Sequence, residues 1–420
     1  MLTQFWQAAA LLRRYPTFAR FWVAKLISLL GDNMAFIALP WFVLQTTHSG
    51  TATAGVMLSL QLPALLTSLL IGSLVDRFQP RTVMAVDNAL RTLIIVCIPL
   101  LYWFNALALW QLFVIAALAG MLQPATAVGE RTLLPELVAD ADLEAVNMLW
   151  AFSQNLSFVV GPAVAGLLVA ALGGPFVLLL DAASFGVMAL VAATLPEIVR
   201  APTTTAAPLT ERLGLRQLWS MKVVRLTTLL SLVFFFSYGP LEAAFPIYSA
   251  TVLQTDARGY GLLWSTLGVG ALVGTLASTS LSRRLRIGVA LPLIALLWGA
   301  STLPLVLTHQ LWLACTLLAI GGLMWGPYTP LETTLLQRTV PKAQLGRVFG
   351  ARSALLTSGS PLGLAVAGAL LAFVPATALI LFSSLSCIAV GLVGLLSPTL
   401  RNVALPTGKA SANLVESSAD

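Results

Sequence analysis

Long apolar runs alternate with short polar breaks along nearly the whole chain. Predominantly apolar stretches fall at 18–46, 52–74, 83–104, 107–127, 147–172 and 175–195, and again at 224–250, 260–280, 287–307, 311–331, 348–373 and 375–396. Each is near the ~20 residues that a helix needs to cross a hydrocarbon core ~30 Å thick. The runs are continuous and do not alternate over ~10 residues, so the strands of a membrane barrel are excluded. The pattern predicts an all-α integral membrane protein of twelve transmembrane helices. Its longest internal polar stretch, Glu197 to Arg225, holds Pro202, Thr203 and Pro208 and then Arg212, Arg216 and Lys222. That reads as a linker followed by a short surface helix. The expected organisation is therefore an N-terminal six-helix half over residues 1–196, a cytoplasmic central loop over 197–223, a C-terminal six-helix half over 224–398 and a cytoplasmic tail over 399–420.

Composition agrees. Of the 420 residues, 58% are hydrophobic and 9% charged, against roughly 25% charged in a soluble protein. The net charge of +7 does not point to a nucleic-acid partner, because its distribution follows the rule that places Lys and Arg on the cytoplasmic side. With both termini cytoplasmic, the inner loops take Arg13, Arg14 and Arg20, then Arg77 and Arg81, Arg131, the central-loop set, Arg283, Arg284 and Arg286, Arg338, Lys342 and Arg347, and Arg401 and Lys409. The outer loops take Arg258 alone. The expected setting is the inner (plasma) membrane, with the bilayer as partner. Arg13 and Arg14 precede no short apolar core with a cleavage site, so no signal peptide is expected and the first span serves as its own insertion signal.

The halves echo each other. Ala163-Val164-Ala165-Gly166-Leu167-Leu168 resembles Ala365-Val366-Ala367-Gly368-Ala369-Leu370, and Thr132-Leu133-Leu134 matches Thr334-Leu335-Leu336 at the same offset of 202 residues. A shared offset at matching span positions reads as duplication.

No nucleophile elbow, phosphate loop or dinucleotide fingerprint stands in a suitable context, so catalysis and a cofactor are not expected. Cys97, Cys315 and Cys387 lie far apart inside apolar runs with no metal-ligand spacing. His48 and His309 fall in outer loops. Charges inside spans are the remaining candidates, since they are costly there and mark ion or substrate paths. Asp32 sits near the middle of the first span beside Asn33. Ser28 and Lys25 share its stripe, Lys25 another turn toward the cytoplasm, where it merely snorkels if Asp32 is only structural. An acid at that depth facing a cavity can load and release protons; the alternative is a helix–helix hydrogen bond. Asp87 and Arg91 stand at i,i+4, acid first, and are expected to neutralise each other. Asp181 is expected to bond a neighbouring helix. Tyr238, Glu242 and Phe245 share a face around Pro240, where an acid among aromatic rings could hold a cationic amphiphile or the rings could simply pack around a wet carboxylate. Gly161, Pro162 and Gly166, with Gly359, Gly363 and Gly368, allow close helix approach, and Trp325-Gly326-Pro327 breaks the tenth span.

The stretch Gly72-Ser-Leu74-Val-Asp76-Arg77-Phe-Gln79-Pro80-Arg81 resembles the loop between spans two and three of the major facilitator superfamily, Gly-x-Leu-x-Asp-Arg-x-Gly-Arg-Arg/Lys. Gln79 and Pro80 depart from it. Around Leu281-Ser282-Arg283-Arg284 the second half keeps the bases and lacks the acid. Ser28, Gly31-Asp32, Pro124-Ala125, Leu134-Pro135-Glu136-Leu137-Val138 and Asp181 to Phe185 resemble the branch of enterobactin-type siderophore exporters and macrolide efflux proteins. Ser157 to Gly166 is similar to the antiporter motif of drug/proton exporters, with Ala165 in place of one glycine, and no arginine of the fourth-span type occurs in 107–120. The resemblance implies a monomeric, proton-coupled exporter of a hydrophobic or amphiphilic small molecule, with Asp32, Asp87, Arg91 and Asp181 as coupling candidates and Ser28, Asn33, Tyr238, Glu242 and Phe245 at the substrate. It implies that Gly72, Asp76, Arg77 and Arg81 gate the two halves, Asp76 meeting the start of span eleven near Arg347 or Arg352. A lysophospholipid flippase, a metabolite importer and a membrane sensor are the alternatives.

Overall fold

Among the described residues of the computed structural model, twelve helices are long and apolar enough to cross a membrane. The structure describes residues 11–197 and 214–403, without the side chains of 69–77, 279, 282–284 and 343. Most of the expected central loop and tail, and the side chains of Asp76 and Arg77 in the stretch that begins at Gly72, therefore lie outside what is described. Numbered along the chain, spans 1 to 6 are Pro16–Thr47, Gly50–Ser68, Pro80–Trp103, Leu109–Leu137, Asp140–Leu172 and Gly174–Ala193. Spans 7 to 12 are Lys222–Thr251, Ala257–Ser278, Ile287–Leu307, Leu311–Thr339, Gln344–Leu370 and Ala376–Leu396. The short helix Leu215–Ser220 precedes span 7 and buries Leu218 against Val348 and Val340.

Local sequence explains the boundaries. Pro16 starts span 1 in a position that needs no backbone donor, and His48 ends it in the left-handed region, its amide returning to the Leu44 carbonyl. Span 10 stops at Trp325 and resumes at Tyr328, as Gly326-Pro327 requires. Several boundaries move from expectation, two of them across a buried acid. Span 4 continues past residue 127 to Leu137 and absorbs Glu130, and span 10 continues past residue 331 to Thr339 and absorbs Glu332. Charge made these segments look like loops; the structure buries both acids against cations.

Span 1 packs on spans 5 and 6, span 2 on span 4, and span 3 on spans 4 and 6. Span 7 packs on spans 11 and 12, span 8 on span 10, and span 9 on span 12. Between these two groups, span 5 lies along span 8 and span 2 along span 11. Small residues permit the approach. A Cβ on Gly166 would meet Ala257 and Arg258, one on Gly261 the Pro162 carbonyl, one on Gly50 Ile247, and one on Gly368 Ala54. All these contacts lie toward the ends joined by the connections near 48–50, 173, 252–256 and 371–375, the face away from the chain termini. That face is closed. Leu66, Leu93, Leu190, Leu276 and Val393 are exposed on the outside of the bundle, as a hydrocarbon surround demands.

Candidate functional site

Two clusters of buried charge, one in each group of six, make up the candidate site. In the first, Lys25 Nζ of span 1 lies 2.6 Å from Glu130 Oε1 of span 4, both nearly covered, and 5.8 Å from the ring centroid of Trp150 on span 5. Lys25 is thus held inside the bundle by an acid and a π-face and does not snorkel. Arg91 of span 3 reaches Asp32 Oδ1 of span 1 at 3.0 Å, and its guanidinium sits 3.7 Å over the Phe185 ring. This corrects the expected Asp87–Arg91 pair. The i,i+4 spacing brings the two side chains onto one face, but Arg91 is long enough to span to Asp32, while Asp87 Oδ2 accepts a hydrogen bond from the Thr126 hydroxyl of span 4. Asn88 Nδ2 donates to the same hydroxyl oxygen at 2.7 Å.

Asp181 of span 6 is 2% exposed, and its Oδ1 has no hydrogen-bond partner, contrary to the expected bond to a neighbouring helix. Its charged neighbours are Asp32 and Arg91, and Gly31 leaves the room it occupies, since a Cβ there would lie 2.8 Å from Oδ1. Asp87 Oδ1 is likewise unpartnered. Four acids (Asp32, Asp87, Glu130 and Asp181) therefore share two cations (Lys25 and Arg91), and a surplus of buried negative charge is costly unless something positive fills it. Ser28 is buried beside them. Asn33 donates to the Leu29 carbonyl at 2.8 Å and its Cβ fills the space that Gly161 leaves on span 5.

In the second cluster, Arg352 of span 11 forms an ion pair with Glu332 of span 10. The guanidinium also donates to Ser231 at 2.8 Å and to Thr228 at 3.2 Å on span 7, and the Ser231 and Tyr328 hydroxyls are 2.8 Å apart. Arg352 is thereby committed inside its own group and unavailable to Asp76. Arg81 also bonds within its own group, donating to the Leu195 carbonyl at 2.9 Å and pairing with Glu197 at the end of span 6.

Sequence inspection missed Glu130 and Glu332, yet the signal was present. They stand 202 residues apart, the offset of the internal repeat, and the same offset maps Trp150 onto Arg352. Both acids are answered by a cation, supplied by span 1 for Glu130 and by span 11 for Glu332.

A cavity of about 520 Å³ adjoins the second cluster, walled by Phe234, Phe235, Tyr238, Trp298 and Trp325, with Glu332, Arg352 and Ser360 at its polar side. Exposed Ser353 and Thr357 line it, so it is reached from the face that carries the termini. Tyr238 is on its wall; Glu242 and Phe245 are not. Phe245 is fully buried against Trp264. Trp264 of span 8, unmarked in the sequence among other tryptophans, is the hub of the closed face: Phe36 and Phe158 from spans 1 and 5, and Tyr238 and Phe245 from span 7, all pack on it at ring separations of 4.8–6.5 Å. Glu242 lies beside this seal, 2% exposed, so it is neither wet nor at the end of its span.

The arrangement has counterparts among known proteins. The family model described as Major Facilitator Superfamily matches residues 21–363. The multidrug efflux pump Tap of Mycobacterium tuberculosis (strain ATCC 25618 / H37Rv) is 31% identical over 395 residues, 91% of this chain and 93% of that protein. The enterobactin exporter EntS of Escherichia coli O1:K1 / APEC is 27% identical over 372 residues, 86% of each chain. In fold, the nucleoside transporter NupG superposes with a TM-score of 0.75 at 13% identity, covering 90% of this chain and 98% of that one. A bacterial homologue of the iron transporter ferroportin, in its inward-facing state, gives 0.69 at 18% identity, covering 91% and 99%.

Proposed function

The chain belongs to the major facilitator superfamily, and from that premise we propose that it is a proton-driven exporter of a hydrophobic or amphiphilic small molecule, of the drug, macrolide or siderophore kind. It works as a monomer in the inner (plasma) membrane with both termini cytoplasmic, and the six-helix halves, 1–196 and 224–398, rock about the substrate. Export is supported by the likeness to an efflux pump along nine-tenths of the chain. Proton coupling is supported by one observation above all, the surplus of acid over cation around Arg91: Asp32, Asp87 and Asp181 compete for a single guanidinium. Protons are the positive charges that can enter and leave so tight a space. Asp32, whose side chain is 33% exposed, is the member with access to water and is assigned the exchange. The aromatic walls of the cavity suit an apolar substrate body, and the Glu332–Arg352 pair offers it both an acceptor and donors.

In the same reading Gly72, Asp76, Arg77 and Arg81 gate the cytoplasmic face. Arg347 is exposed and remains the partner for Asp76 when that face closes.

The test is a panel of candidate drugs and siderophores in inverted vesicles with luminal pH followed at the same time. Substrate-dependent proton release is expected, and Asp32→Asn should lower gradient-driven export at least tenfold. An Asp32→Asn variant that exports fully removes the assignment, and accumulation in the opposite direction favours an importer.

A further inference from the structure

Glu242 differs from the other buried acids in its surroundings. Among the described residues no Lys or Arg comes within ion-pair distance of it. Its oxygens are held by neutral donors instead: Gln61 Nε2 of span 2 donates to Oε1 at 2.8 Å, and the Ser360 hydroxyl of span 11 to Oε2 at 3.2 Å. Gln61 belongs to the first group of six, Glu242 and Ser360 to the second. Among the described residues this is the side-chain hydrogen bond that joins the groups. The titratable neighbours are Tyr238 on its own helix and Tyr260 on span 8. Spans 2 and 11 present only the amide and the hydroxyl, and no charged group of any packed span acts on it. The Glu332–Arg352 pair is anchored at Ser231, about three helical turns away.

An ionised carboxylate shut into such a site is costly, and two neutral donors only partly offset that cost. The neutral acid fits the same geometry without that cost. Its carbonyl oxygen accepts from Gln61, and its O–H donates to Ser360 Oγ, a hydroxyl oxygen with lone pairs to spare. If the closed face parts, Gln61 departs with its own half and the carboxyl meets water, where the ionised form is favoured. Ser360 also lines the cavity, so one hydroxyl stands between Glu242 and water on the terminus side.

We propose that Glu242 is a proton-carrying latch of the terminus-distal face, neutral and bonded to Gln61 while that face is closed, ionised and released when it opens. The step moves one proton and breaks no other bond. The carboxylate takes H⁺ from water on the distal side as the face closes, and gives it to cavity water through Ser360, the loss that releases the face to open. The inference rests on the proton-driven reading above and deepens it, giving Glu242 a gating role where sequence alone suggested a substrate-side acid.

The test uses the full chain in nanodiscs with Cys97, Cys315 and Cys387 replaced by alanine and spin labels at positions 104 and 307. Both positions are highly exposed in connections on the closed face, one in each half. Double electron–electron resonance between pH 5.5 and 9 should show the short distance giving way to a longer one as pH rises. Glu242→Gln, which keeps both hydrogen bonds and cannot ionise, should hold the short distance throughout. Gln61→Leu should move the opening midpoint down by about one pH unit, a tenfold change in proton affinity, and it carries the test if Glu242→Gln does not fold. A parent distance that ignores pH, a Glu242→Gln variant that opens like the parent, or a Gln61→Leu midpoint that stays put each overturns the latch. Ethidium movement in proteoliposomes under a pH gradient separates this from the transport reading. Gradient-driven movement without the distance switch defeats the latch alone, and the switch without gradient-driven movement defeats the coupling alone.

Discussion

Lys25 and Glu130 show how costly a single residue becomes once it is sealed from water. The pair is covered on both sides, so Glu130→Leu leaves an ammonium with a ring face and no counter-ion. Breaking one partner of a buried pair costs about 3–5 kcal/mol. Glu130→Leu should therefore lower the thermal unfolding midpoint in detergent sharply, and adding Lys25→Met should restore most of it. A double variant as unstable as the single one would show that the glutamate acts through something other than the lysine. At this scale the sequence was only partly legible. Asp32 and Asp181 stand out as acids in unbroken apolar runs, whereas Glu130 follows Gly129 and precedes Arg131, a triplet that imitates a loop. Pairing is harder still to read, because a long guanidinium chooses its carboxylate in three dimensions: Arg91 bypasses Asp87, one turn away on its own helix, for Asp32 on another.

Spans 8 and 10 lock together through glycines spaced four apart on each. Gly270 and Gly274 face the carbonyls of Ala319 and Leu323, while Gly322 and Gly326 face those of Leu267 and Ala271. Backbone meets backbone, so there is no side chain to yield. Gly322→Val should force the helices apart at a cost of about 1–3 kcal/mol, read as a lower unfolding midpoint. Gly346, on the helix that begins at Lys342, has nothing within 4 Å of its would-be Cβ. Gly346→Ala should instead leave stability unchanged or raise it by up to about 1 kcal/mol; equal effects from the two substitutions would refute the packing argument. Element number and order were legible because twelve runs of apolar residues can hide their backbones from lipid only as helices. Ends were less so, since segments 128–137 and 332–339 each carry an acid, Glu130 or Glu332, that only the assembled bundle can bury.

Across the whole molecule, the closed face is an aromatic seal on Trp264 backed by small-residue contacts, and the opposite face is open as far as the cavity. Trp264→Ala removes the hub on which Phe36, Phe158, Tyr238 and Phe245 converge. A cysteine placed at Ala54, buried in that face, should then react at least tenfold faster with a membrane-impermeant maleimide. Unchanged labelling would mean that the glycine contacts alone exclude water. The close-approach glycines were legible along the chain, but the seal was not, because Trp264 becomes a hub only when spans from both halves converge on it.

The exchanged counter-ions of Glu130 and Glu332 also constrain ancestry. A sealed glutamate must keep a cation or stay protonated, since an unpaired buried carboxylate carries a heavy solvation cost. Span 1 answers it in one copy and span 11 in the other. If the halves arose by duplication, losing one base before gaining the other passes through an unpaired acid at a cost of about 3–5 kcal/mol. The path runs through an intermediate in which both bases flanked one acid, or in which the acid was briefly a neutral residue, and sequences of either type are what a search for this protein's forebears should look for.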